Sequence, residues 1–218
     1  MRKVNRWWVI KPVLFVACLL PTAWAVHALW LAYQGLDPGI RGDPIKVIEE
    51  TTGLWTLRFL MVTLAMTPLR RLTGWNSLIR IRRMMGLFAF FQAIVHWTIY
   101  LWLDQSFIIS EIVKDIVKRP MITAGMAAFV MMIPLAVTST KKWISRLGGK
   151  RWQLLHRLIY FSGVAGVLHY YFFVKSDIRN PLAYAVLLLG LLGFRAWRAL
   201  SERGLKPAAT VRAGSMQM

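Results

Sequence analysis

An all-α membrane protein, a six-helix transmembrane bundle with both termini cytoplasmic, is the fold class this sequence predicts. Three observations predict it: apolar runs of about twenty residues, the length that crosses a hydrocarbon core; cations gathered between those runs; and three histidines placed inside them. Of 218 residues, 57% are hydrophobic, and mean hydropathy is +0.49. A soluble domain of this size does not carry repeated runs of that length.

The runs fall at 12–33, 53–72, 84–103, 120–140, 152–174 and 181–200, each expected to be one helix. Residues 1–11 are expected to be a cytoplasmic N-terminus, 12–203 the six-span domain, and 204–218 a disordered cytoplasmic tail. Arg2 to Lys11 followed by an apolar stretch and Ala23-Trp24-Ala25 also fits a signal peptide with a small-residue cleavage site. The apolar run continues to Tyr33, which favours a retained helix. Between spans one and two, Asp43-Pro44 offers an N-cap and a proline at the first helical position, leading into Ile45–Thr52. Between spans three and four, Ser106 to Val117 carries Ile109, Ile112, Val113 and Ile116 at helical spacing, an amphipathic stretch suited to the outer interface.

Charge sets the expected orientation. The N-terminus, second loop, fourth loop and C-terminal end hold 19 Lys and Arg, against seven in the other three loops, with Arg58 and Arg157 inside spans. The positive-inside rule puts the richer side, and with it both termini, in the cytoplasm. The net charge of +19 is therefore the charge of membrane-flanking loops. No basic stripe interleaves with a polar recognition surface, so nucleic acid is excluded as a partner and the lipid bilayer expected. Cys18 is the single cysteine, so an intrachain disulfide, a thiolate iron–sulfur cluster and a thiolate zinc site are excluded.

An ionisable side chain in hydrocarbon needs a partner that lipid does not supply. His96 lies eight residues before Asp104, and His169 six before Lys175, so both sit about 9–12 Å from the outer ends of outward-running spans. Imidazoles at matched depth on two helices are what a b-type haem requires, one neutral ring on each side of the iron. His156 lies thirteen residues before His169, about 20 Å inward and off its face on an ideal helix. It suits a second ligand position, a quinone contact or an interfacial hydrogen bond. His27 reads as a packing residue. Arg58, just inside the outer end of span two, can pair with a haem propionate or snorkel to the surface. Arg80, Arg82 and Arg83 read as inner anchoring, with an anionic headgroup, a flavin phosphate or a propionate as alternatives.

A family resemblance rests on Asp43-Pro44 with Thr52-Gly53, Thr67-Pro68-Leu69, Ile79 to Leu87, His96, Thr138-Ser139-Thr140, and Trp152 to Tyr160 followed by His169. In these stretches the chain resembles the MsrQ (YedZ) family of the ferric-reductase-like transmembrane superfamily. The resemblance implies a haem b electron-transfer subunit, with one haem or two and FMN in some members. It implies that His96, His156 and His169 are the haem-associated histidines and so the candidate metal ligands; Arg58 and Arg82, from their positions, are the candidate cofactor contacts beside them. The implied donor is membrane quinone or a cytoplasmic flavin reductase. The implied acceptor is a periplasmic molybdopterin-containing methionine-sulfoxide reductase that repairs oxidised periplasmic proteins. Relatives with two histidine pairs would place a partner for His156 about fourteen residues before His96, where this chain has Arg82. About eighteen residues follow the last span, so the donor is expected to be another molecule.

No substrate chemistry of its own is expected of the chain. The alternative is a free-standing transmembrane ferric or quinone reductase, which the short outer loops disfavour. A transporter using the same histidines would be expected to show repeat symmetry or paired broken helices, and the sequence shows neither.

Overall fold

The computed structural model describes residues 7–174 and 177–204, with backbone alone at 203 and 204. Residues 1–6 of the expected N-terminal segment and 205–218 of the expected tail lie outside the described residues. Among the described residues the chain is helical, without strands. The elements are α1 (Trp7–Tyr33), α2 (Pro44–Thr73), α3 (Leu78–Ile99, continuing as a π-helical turn Tyr100–Asp104), α4 (Ile109–Lys118), α5 (Pro120–Val137), α6 (Lys141–Leu147), α7 (Gly149–Leu155), α8 (Leu158–Phe173) and α9 (Arg179–Gly204).

Local chemistry explains most boundaries. Asp43 caps α2 through a hydrogen bond that its carboxylate accepts from the Ile45 amide, with Pro44 at the first turn. The expected short helix and span two are therefore one rod of 30 residues. Its far end closes on Gly74, whose φ of 72° is left-handed and whose amide donates to the Arg70 carbonyl. Pro120 opens α5, where a missing amide costs nothing.

Among the described residues four helices are long and apolar enough to cross a membrane: Trp7–Tyr33, Leu78–Asp104, Pro120–Val137 and Arg179–Glu202. The other two expected spans fall on α2 and on α8, which has 16 residues and so extends only about 24 Å.

One expectation is corrected. The run 152–174 is not one helix: it breaks at His156, leaving α7 and α8 as separate segments. The cause is tertiary. The Trp152 indole donates to the Thr138 carbonyl at 2.9 Å, and Thr138 Oγ1 meets His156 Nε2 at 3.1 Å. The end of α5 thereby staples α7 and fixes its exit, and α8 starts afresh beyond Arg157.

Packing follows two pairs, α2 along α3 and α5 along α8, joined through α3–α5 and α2–α8, with α1 and α9 outside them. The core between them is built on Leu57, Leu60 and Leu64 of α2, meeting Phe88 and Ala89 of α3, Met132 of α5, Val167 of α8 and Leu188 of α9. Ser162 of α8 donates to the Ala128 carbonyl of α5 at 3.0 Å, a polar contact that needs no side-chain partner. Large apolar side chains such as Val13, Leu20, Val186 and Leu189 face outward, more than half exposed. Such a surface is solvated by lipid.

The amphipathic stretch forms as α4 and is tied down by one buried carboxylate. Asp115 accepts from Tyr100 at 3.2 Å and Gln105 at 3.0 Å, and pairs with Arg119 at 3.1 Å. Asp115→Ala strands the buried Tyr100 hydroxyl, at a cost of about 1–3 kcal/mol. The expected result is faster limited proteolysis between Gln105 and Arg119, with unchanged overall helicity by circular dichroism.

Candidate functional site

Where the two helix pairs face one another they leave a cleft with predominantly apolar walls, the kind of site where cofactors bind between the helices of a bundle. His96 of α3 and His169 of α8 both line it, with Trp97, Tyr100, Phe129 and Tyr170 among its walls. Their ring centroids are 6.0 Å apart, with ring planes at 72°.

Each ring is held by one nitrogen. His96 Nδ1 lies 3.0 Å from the Glu49 carbonyl, with Thr52 Oγ1 at 3.3 Å, and His169 Nδ1 lies 2.8 Å from the Met121 carbonyl. A carbonyl only accepts, so Nδ1 carries the proton and donates in both rings. The lone pair is left on Nε2, which takes no protein hydrogen bond among the described residues. That second-contact pattern is the usual one for metal-binding imidazoles, fixing tautomer and orientation together.

Two glycines make room for the rings. A Cβ on Gly125 of α5 would lie 2.7 Å from His169 Nδ1, and one on Gly53 of α2 would lie 3.0 Å from His96 Cε1. The imidazoles thus sit in slots cut into the neighbouring helices. Haem fits this donor set. His96 and His169 would hold it through their Nε2 lone pairs, the nitrogens that the Glu49 and Met121 carbonyls leave free. At the cleft's mouth, before span two, Glu49 is raised to about 7 by burial, with the Asp104 charge adding.

The other expected site residues lie apart from this pair. Arg58 is not in the cleft lining: it donates to the Tyr184 hydroxyl at 3.3 Å and stacks over Trp55 at 4.8 Å. Arg82 stands fourteen residues before His96 on α3, about 21 Å away. His156 is at that end too, within electrostatic range of Arg82. Its ring stacks on Trp152 at 3.9 Å, and its Nε2, not Nδ1, is engaged by Thr138. His27 is exposed beside Trp30.

Sequence reasoning missed Gly125, Thr138 and the carbonyls of Glu49 and Met121. Gly53 and Thr138 belong to the stretches that carry the resemblance, but their roles follow only from contacts between helices. Gly125 has no local signal beyond being small.

Comparison with known proteins adds an independent line. The family description "Ferric reductase like transmembrane component" matches residues 52–167. A protein of Herminiimonas arsenicoxydans named protein-methionine-sulfoxide reductase heme-binding subunit MsrQ is 49% identical, over 89% of this chain and 87% of its own length. Proteins of the same name are 48% identical in Xanthomonas oryzae pv. oryzae (strain MAFF 311018), over 94% of this chain and 96% of their own, and 49% identical in Xanthomonas campestris pv. campestris (strain 8004), over 88% of each.

Proposed function

Because the chain belongs to the ferric-reductase-like transmembrane family, and within it to the MsrQ proteins, we propose that it is a haem b electron-transfer subunit for a methionine-sulfoxide reductase. The observation that carries this reading is the pair of anchored imidazoles whose free nitrogens share one cleft. The bound haem would supply one-electron chemistry at a potential set by its axial ligands and its burial.

The chain's own part is placement and exclusion. The Glu49 and Met121 carbonyls accept from Nδ1–H, which fixes the tautomer and orientation of both imidazoles and leaves each Nε2 lone pair free. Leu57, Leu60, Phe129 and Met132 wall the cleft with apolar surface and keep water from the ligated face. Gly53 and Gly125 let the His96 and His169 rings recess against their neighbouring helices, where a Cβ would displace them.

The proposed route runs outward. Both termini lie in the cytoplasm of a bacterial inner membrane, six helices cross it, and His96 and His169 sit in the outer half. Electrons arrive from the quinone pool on the inner side and leave to a periplasmic molybdopterin-containing partner. The counted excess of cations in the even-numbered loops and at both ends supports that orientation.

His156 has a separate task in this reading, since its Nε2 is committed to Thr138. His156→Ala is expected to leave the haem content of the His96–His169 site within about twofold of wild type. Electron delivery from a quinol analogue should fall further than haem content does. Equal losses in haem content and delivery would contradict the separation. The test of the proposal as a whole is a dithionite-reduced absorbance spectrum of the purified chain, which should show a b-type haem.

A further inference from the structure

Away from the histidine pair, α2, α8 and α9 enclose a second cleft of about 500 Å³, lined by Thr67, Arg71, Tyr160, Phe194, Arg195 and Glu202. Thr67 is fourteen residues beyond Gly53 on α2, so this cleft lies about 21 Å along the bundle from the first.

Its polar groups are donors in excess. Glu202 is taken by Arg71 at 3.3 Å. Arg195 donates to the Tyr160 hydroxyl at 2.8 Å and to the Leu64 carbonyl, and has no carboxylate within ion-pair distance among the described residues. Arg195 Nε and Thr67 Oγ1 are buried without a hydrogen-bond partner among the described residues, as is Arg198 Nε one turn from Arg195. Arg82 adds further positive charge within electrostatic range of Arg195 and Tyr160. Buried donors left unpaired, amid like charges, are costly unless an acceptor bearing negative charge completes them. An oxyanion such as phosphate does so with several oxygens at once.

The rim says where that phosphate comes from. Leu72 of α2 and Trp197 and Leu200 of α9 flank the cleft's end of the bundle and are 72%, 60% and 66% exposed. A soluble ion has no use for such a surface, whereas acyl chains do. Basic pockets between spanning helices are where anionic headgroups settle. We propose that this cleft seats the phosphodiester of an anionic phospholipid, with Thr67 and Arg195 donating to its oxygens.

The test uses the full chain, purified in detergent and equilibrated with mixed micelles of phosphatidylglycerol and phosphatidylcholine, with retained lipid counted by native mass spectrometry. Wild type should prefer phosphatidylglycerol by about five- to tenfold. Arg195→Gln and Thr67→Val should each bring that preference close to unity, while Arg41→Gln, the same charge change as Arg195→Gln but in the loop before α2, should not. Should Arg195→Gln lose its fold, Thr67→Val decides, because the Thr67 hydroxyl makes no internal bond to lose. Equal retention of both lipids by wild type, or an undiminished preference in Thr67→Val, would overturn the proposal. Displacement of the lipid by millimolar inorganic phosphate would assign the cleft to a soluble anion and overturn it equally.

Discussion

His96→Ala and His169→Ala are each expected to lower haem occupancy by at least about 100-fold, the largest effects in the molecule. On the proposed reading each removes one of the two nitrogens that would hold the haem, and the hydrocarbon around the cleft supplies no replacement. Thr56, Tyr100 and Tyr170 are among the polar groups that line it, and hydroxyls are poor substitutes for imidazole at a b-type haem. His96→Ala also frees the Glu49 carbonyl, and His169→Ala the Met121 carbonyl, but both carbonyls sit in helices whose backbone bonding survives. Folding should therefore persist, and helicity by circular dichroism should match wild type while the haem band disappears. A variant that kept full haem with an unaltered spectrum would contradict ligation by that residue.

Gly125→Ala is expected to be nearly as damaging although it removes no ligand. The new methyl would lie 2.7 Å from His169 Nδ1 and 2.9 Å from Cε1, closer than side-chain carbons approach one another. The ring must then swing out of its slot, which breaks the hydrogen bond to the Met121 carbonyl and moves Nε2 off axis. Losing such an orienting contact costs about 10–100-fold in metal affinity, and haem content should fall accordingly. Gly53→Ala meets His96 at 3.0 Å, a milder clash that a small ring shift relieves, so its loss should be smaller. Haem content by pyridine haemochrome, measured on both glycine variants beside wild type, checks the order. Full occupancy in Gly125→Ala would mean that the slot is not needed to hold the ring.

How much of this was legible in the chain depends on whether the signal is local. The Asp43-Pro44 cap needs only its own neighbours, and the helix begins where the sequence places it. Depth along a helix is a matter of counting residues, so His96 and His169 are brought together as their positions require. The amphipathic period between residues 106 and 117 likewise becomes α4. The break at His156 was not legible: it is imposed by Trp152 and His156 bonding to Thr138, a residue on another helix. The apolar run passes straight through that break because Trp152, Leu154 and Leu155 precede it and the apolar α8 follows it. Arg58 is similar. Its place on α2 was clear, but whether it reaches the cleft depends on Tyr184, which lies 126 residues away and holds it aside. Gly125 looked like any small residue in an apolar run, and its role exists only because His169 leans against it.

The most direct measurement of the central claim is the reduced-minus-oxidised absorbance spectrum of the purified full chain, with haem-to-protein stoichiometry, beside the double variant His96→Ala/His169→Ala. A b-type haem in wild type, low-spin as two axial imidazoles make it, and absent from the His96–His169 site in the double variant is the predicted result. Wild-type haem content with an unchanged low-spin spectrum in the double variant would contradict it.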